Sequence, residues 1–181
     1  MDANVSYNDL TNYITITTTI YIYGSLATDE LAAKYKASID VDASWGSIHE
    51  VQIEGKWYKL SWDISVINIG ESDVSFEQNG NNYMEVSINK SYMMERYKGR
   101  IRFPRGDADN PMAHEFGHMV GLSDRYIKQN GRTFPMENWE GNIMAEEAGF
   151  GVVEPRNIEE SLSSSVKAFI AGEKEYKIRL K

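Results

Sequence analysis

Two histidines four residues apart, with a glutamate directly after the first, are the residues whose types and spacing could do chemistry: His114, Glu115 and His118. On a helix, positions i and i+4 lie one above the other, so both imidazoles can aim a ring nitrogen at a single ion. A catalytic tetrahedral metal needs three protein donors and one position left for water. Glu115, beside the first histidine, is placed to take the proton from that water and pass it to a leaving group. The third donor is expected just downstream. Gly121 suits the left-handed conformation that ends a helix and reverses the chain, and three residues later Asp124 would swing back toward the ion. Two of the chain's three histidines sit in this stretch of eleven residues, and the remaining one, His49, lies in a distant β segment.

The supports of this segment are legible around it. Pro111 stands where a first helical residue is expected, with Asn110, Asp109 and Asp107 before it, which is a helix N-terminal signature. The two aspartates are explained by charge complementarity with the helix end and need no bound cation. Calcium is not indicated, since no calcium-loop motif is present. Met112, Ala113, Phe116, Met119 and Val120 form the face that should anchor the helix, opposite the polar trio.

Further out, Ile14, Ile16, Ile20 and Ile22 alternate in a run of β-branched and aromatic residues that ends at Gly24, which reads as a strand. Thr28-Asp29-Glu30 opens a helix whose core stripe is Leu31, Tyr35 and Ile39. Residues 50–69 read as β structure, with a hairpin turn at Glu54-Gly55-Lys56. Residues 83–89 alternate, with Met84, Val86 and Ile88 on one side, and residues 100–103 suggest one more short strand. Pro155-Arg156-Asn157 begins a last helix with Ile158, Leu162, Val166 and Phe169/Ile170 on one face. Strands with one early helix followed by two later helices make an α+β pattern.

The 181 residues are most economically a single catalytic domain over 1–181, with a sheet-containing part to about residue 121 and a C-terminal part from about 122 to 181. No cysteine is present, so disulfides and thiolate ligands are excluded and any metal site must use histidine and carboxylate. A net charge of −8 argues against nucleic acid or an anionic membrane as partner. The N-terminus lacks the basic and apolar regions of a secretory signal, which leaves the compartment open.

The string from His114 to Tyr126, H-E-x-x-H-x-x-G-x-x-D-x-Y, resembles the extended motif of the metzincin zinc metalloproteases in its aspartate version, and is most similar in motif to the small bacterial snapalysin-like members. The resemblance covers under an eighth of the chain. It implies a metzincin-like fold: a twisted mixed β-sheet with an early helix, an active-site helix, a Met-turn and a C-terminal helix. The implied activity is a zinc-dependent endopeptidase acting on a protein or peptide substrate through a metal-activated water, with Glu115 as catalytic base. His114, His118 and Asp124 would hold one catalytic zinc ion, and Gly121 and Met144 would be structural. Met144, in Asn142-Ile143-Met144-Ala145 and 26 residues after His118, is the implied Met-turn methionine. A cognate inhibitor or pro-segment, and secretion or delivery from a bacterial cell, accord with the same resemblance. Two features depart from the family pattern. The carboxylate brings negative charge to the metal, and no tyrosine follows Met144 by two residues.

Other readings stay open at this point. Tyr126 is either an oxyanion donor or, more plainly, an exposed or core tyrosine. His49 reads as a surface or hairpin histidine, with a fourth-ligand role as the sharper alternative. Residues 83–89 are either an edge strand that holds an extended substrate or an ordinary sheet strand. The function itself has two alternatives: a narrow-target protease effector or toxin domain of a larger secreted polypeptide, and a non-catalytic, zinc-stabilised binding module.

Overall fold

The computed structural model describes residues 3–8, 10–40, 44–53, 56–70, 82–87, 101–104, 112–146, 151–161 and 176–180. In these residues the chain is α+β, with a mixed sheet and three helices. The elements run β1 (Asn4–Asn8), β2 (Tyr13–Tyr23), α1 (Asp29–Ile39), β3 (His49–Ile53), β4 (Lys56–Asn68), β5 (Tyr83–Ser87) and β6 (Ile101–Pro104). Then follow α2 (Met112–Met119), β7 (Tyr126–Gln129), β8 (Arg132–Pro135), α3 (Pro155–Ser161) and β9 (Tyr176–Leu180).

The middle of the sheet is β2, and its alternation explains why. Ile14, Ile16, Ile20 and Ile22 are at most 1% exposed and all face the core. Each such side chain contributes about 2 kcal/mol by leaving water. β2 pairs in parallel with β4 along its length, with Tyr13 opposite Lys59 and Ile22 opposite Asn68. Its other edge is shared: β1 pairs antiparallel with its first half and β5 in parallel with its last three residues. Beyond β5 lies β6, parallel, and beyond β4 lie β3 and β9, both antiparallel to their neighbours. Because β6 covers Met84–Ser87, β5 is an interior strand, and the edge-strand reading of residues 83–89 does not hold for its described part.

The strand-to-strand crossover from β2 to β4 is made partly by α1, capped by Thr28, whose Oγ1 accepts from the Leu31 amide at 3.1 Å. Leu31 and Tyr35 are only partly buried and Ile39 fully so, with Ala32 completing the stripe. The hairpin expected near residues 54–56 is present as β3–β4, although Glu54 and Gly55 lie outside the described residues.

Three features were not anticipated. β1 and β9 both join the sheet, and β9 returns to β3, so residues after 122 do not form a part wholly separate from the first 121. A separate hairpin, β7–β8, turns at Asn130-Gly131, both with positive φ (51° and 71°), which is the pairing a two-residue hairpin turn requires. His49 lies on the β3–β4 hairpin but is fully buried rather than on the surface, its register opposite Leu60 placing it on the core face of the sheet.

Beneath α2 the core is aromatic. Trp45, Trp62 and Phe116 meet edge to face with centroids 5.1–6.1 Å apart. The Trp45 indole N–H donates to the Ala113 carbonyl at 2.8 Å, fixing the height and rotation of the first turn of α2. Pro111, Asn110, Asp109 and Asp107 lie outside the described residues, as do Ile88, Leu162, Val166, Phe169 and Ile170.

Candidate metal centre

α2 ends as its sequence predicts. Gly121 has φ +100°, its amide donates to His118 O at 3.0 Å, and the Leu122 amide donates to Gly117 O at 2.9 Å. That pair of bonds closes a Schellman cap. Leu122 is buried, and its carbonyl accepts from His118 Nδ1 at 2.9 Å. The turn that stops the helix therefore also orients the His118 imidazole.

His114 is oriented from another direction. Its Nδ1 donates to the Ile143 carbonyl at 2.7 Å. Ile143 belongs to the turn at Asn142–Ala145, where the Met144 amide donates to Asn142 Oδ1 and the Ala145 amide to Asn142 O, both at 2.9 Å. Met144 is fully buried below the helix. A Cβ on Gly117 would stand 2.2 Å from the Met144 sulfur and 3.5 Å from the Trp45 ring, so only glycine at 117 lets the methionine lie flush against α2. The Arg125 amide donates to Met144 O at 2.8 Å, tying the chain just past Asp124 to the same turn.

The turn is itself held by a buried amide pair. Asn142 and Asn157 are both fully buried and exchange side-chain hydrogen bonds at 2.7 and 3.2 Å, linking the turn to the first residues of α3. Gly151 lies so close that its Cβ would meet the Asn142 carbonyl at 2.4 Å. Neither Gly117 nor Gly151 carries a recognisable local signal, because each is dictated by a chain segment distant in sequence.

With both Nδ1 atoms donating to carbonyls, the two Nε2 atoms are left to present lone pairs in the neutral rings. They face each other at 3.1 Å, and Asp124 Oδ1 stands 3.2 Å from His114 Nε2 and 3.1 Å from His118 Nε2. Three acceptors in a triangle of this size repel unless positive charge stands among them. Donors about 2 Å from a small tetrahedral ion lie about 3.3 Å apart, close to this spacing. His114, His118 and Asp124 thus form a group that could hold a metal ion. The imidazoles are 3% exposed and the carboxylate 36%, so the group is sealed on the histidine side and open on the aspartate side.

Electrostatics agree with the geometry. Burial opposes a charge on His114, but the Asp124 hydrogen bond, the Glu115 charge and the Ile143 carbonyl outweigh it and raise its pKa. Burial likewise opposes ionisation of Asp124, yet the two histidines hold its carboxyl well below the usual carboxylate range. Glu115 is half-buried, with its Oε2 enclosed. Tyr35 of α1 senses it: burial, then the Glu115 charge, pushes the phenol up to about 12.

The Tyr126 ring stacks on His114 with centroids 6.1 Å apart and planes 28° from parallel. Tyr126 is thus half-buried beside the site, neither simply exposed nor in the core. Among the described residues the metal-ligand group does not include His49, which leaves no support for a fourth-ligand role. The aspartates Asp107 and Asp109 lie outside the described residues. Compared with models of known families, curated proteins and solved structures, the chain matches none.

Proposed function

We propose that this chain is a metzincin-like zinc endopeptidase in which His114, His118 and Asp124 hold one zinc ion and Glu115 is the catalytic base. The observation that carries the reading is the convergence of three acceptor atoms at 3.1–3.2 Å beside a half-buried glutamate. Zinc is favoured because two imidazoles and one carboxylate, with no thiolate in the chain, suit its tetrahedral catalytic sites. When bound there, zinc would supply a Lewis acid toward a carbonyl oxygen and would acidify water. Glu115 would accept a proton from the attacking water and deliver it to the leaving amine. Asp124, through its open side, leaves room for a substrate carbonyl to approach. The contact of Met144 with Gly117 and its place next to the Ile143 carbonyl that orients His114 support reading it as a Met-turn residue.

The test pairs metal content with cleavage. Wild type and Glu115→Gln should both carry about one zinc per chain, while the variant's cleavage of a broad peptide library falls by at least ~100-fold. A variant that cleaves at the wild-type rate would sink the reading. Zinc in both with no cleavage by either would favour the narrow-target effector or the non-catalytic module.

A further inference from the structure

The β7–β8 hairpin leaves the metal group two residues after Asp124, and its two faces differ in a way the proposed chemistry does not use. One face carries Tyr126 against His114. The opposite face carries Ile127 and Phe134, which are directly paired across the ladder, and Met136, two residues beyond Phe134 and so on the same side. These three are 53%, 44% and 38% exposed, three large apolar side chains together on a surface where such groups normally occur singly.

The patch is held rigidly. The Asn130-Gly131 turn sets the tip, and at the base the Met136 amide donates to Arg125 O at 2.7 Å while the Arg125 amide donates to Met144 O. Toward the tip the same face ends in Gln129 opposite Arg132. Among the described residues Arg132 makes no ion pair. The two strands carry Lys128 and Arg132 and no acid, in a chain of net charge −8. Ile127 is three residues from Asp124, so the patch begins within about 10 Å of the ligand along the chain.

We propose that this outer face of the β7–β8 hairpin is a docking exosite for the substrate polypeptide, taking a segment with large apolar side chains and a carboxylate that meets Arg132. The local charge favours the partner: Arg132 at the end of the apolar stripe is matched by a carboxylate beside large apolar side chains, whereas a second copy presenting the same face would bring no acid to it. The hairpin is a two-stranded sheet of its own among the described residues, so an extended segment can also add along its edge. The inference rests on the protease reading only in naming the bound chain as substrate.

Binding is measured by fluorescence anisotropy, with a fluorescein-labelled peptide alternating Glu with Leu and Phe, on the full chain carrying Glu115→Gln so that turnover does not intervene. Saturable binding is expected, weakened at least ~tenfold by Ile127→Ser with Phe134→Ser, by Arg132→Glu, and by replacing the peptide's Glu with Lys. Circular dichroism of each variant confirms the fold, which exposed positions should not disturb. No binding, or equal binding by the hairpin variants, overturns the exosite. So does binding of vesicles of phosphatidylcholine with phosphatidylserine that Phe134→Ser abolishes, since the face would then be a membrane contact. Self-association lost in the same variant overturns it equally. A separate digestion of unfolded β-casein by the wild-type catalytic site distinguishes the two readings. Peptide binding without any cleavage leaves the docking face standing and tells against a broad-specificity protease, whereas cleavage with no hairpin-dependent binding does the reverse.

Discussion

Gly117 is where the metal group is most exposed to a single-atom change. It sits on α2 between His114 and His118, and the Met144 sulfur occupies the space a side chain would need, 2.2 Å from an added Cβ. Ala is the better helix former, so by local propensity Gly117→Ala should stabilise α2 by about 1 kcal/mol. The steric term has the opposite sign and is larger, since overpacking in a filled core costs about 1–3 kcal/mol and Met144 also anchors the turn that orients His114. The variant should therefore melt at lower temperature and bind zinc at least ~tenfold more weakly in chelator competition. A rise in melting temperature with unchanged affinity would show that Met144 can move aside. The convergence of His114, His118 and Asp124 and the cap at Gly121 were readable because their spacing is local to one helix and its end. Gly117 was not, because what forbids a side chain there arrives from residue 144.

The elements around the site act through carbonyls. The Schellman turn after α2 holds one imidazole and the Asn142–Ala145 turn holds the other, so ligand geometry depends on two turns and not on the helix alone. The second turn depends in turn on Asn157 of α3. Asn157→Ala leaves the buried Asn142 amide without part of its bonding, a loss of about 1–3 kcal/mol. It should lower both the melting temperature and the zinc affinity, although Asn157 touches neither ligand. Unchanged zinc affinity in that variant would uncouple α3 from the site. At this scale β2, α1 and the β3–β4 hairpin were legible from alternation and capping. The β7–β8 hairpin carries an Asn130-Gly131 turn signal, and β1 (Val5, Tyr7) and β9 (Tyr176, Ile178, Leu180) alternate apolar with polar residues, but alternation over five residues does not reveal which strand each joins.

At the scale of the whole molecule, His49 is one source of acid sensitivity. It is fully buried, neither ring nitrogen has a hydrogen-bond partner among the described residues, and burial lowers its pKa to about 4. The unfolded chain takes up the proton near pH 6.5 and the folded chain only near 4, so the unfolded state holds more protons between those values. This contribution is fully present above about pH 6.5 and is lost as pH falls toward 4, a change of about 3 kcal/mol. Urea unfolding across that window should show the loss, and His49→Leu should flatten it. An equally steep profile in His49→Leu would place the acid sensitivity elsewhere. The hairpin position of residue 49 was readable, but its burial was not, since that is set by the register that puts it opposite Leu60 on the core face.

The parallel pairing of β2 with β4 also bears on the order of assembly. Tyr13 meets Lys59 only after a long loop is closed, and β9 meets β3 across most of the chain, so the sheet is a structure of high contact order that forms slowly. The three proposed metal donors span eleven residues and can meet early, but their turn at 142–145 is seated on a core that includes β2 and β4. Metal captured by the nascent chain would thus be held loosely by an unsupported helix, and tight retention would mark the moment the sheet closes.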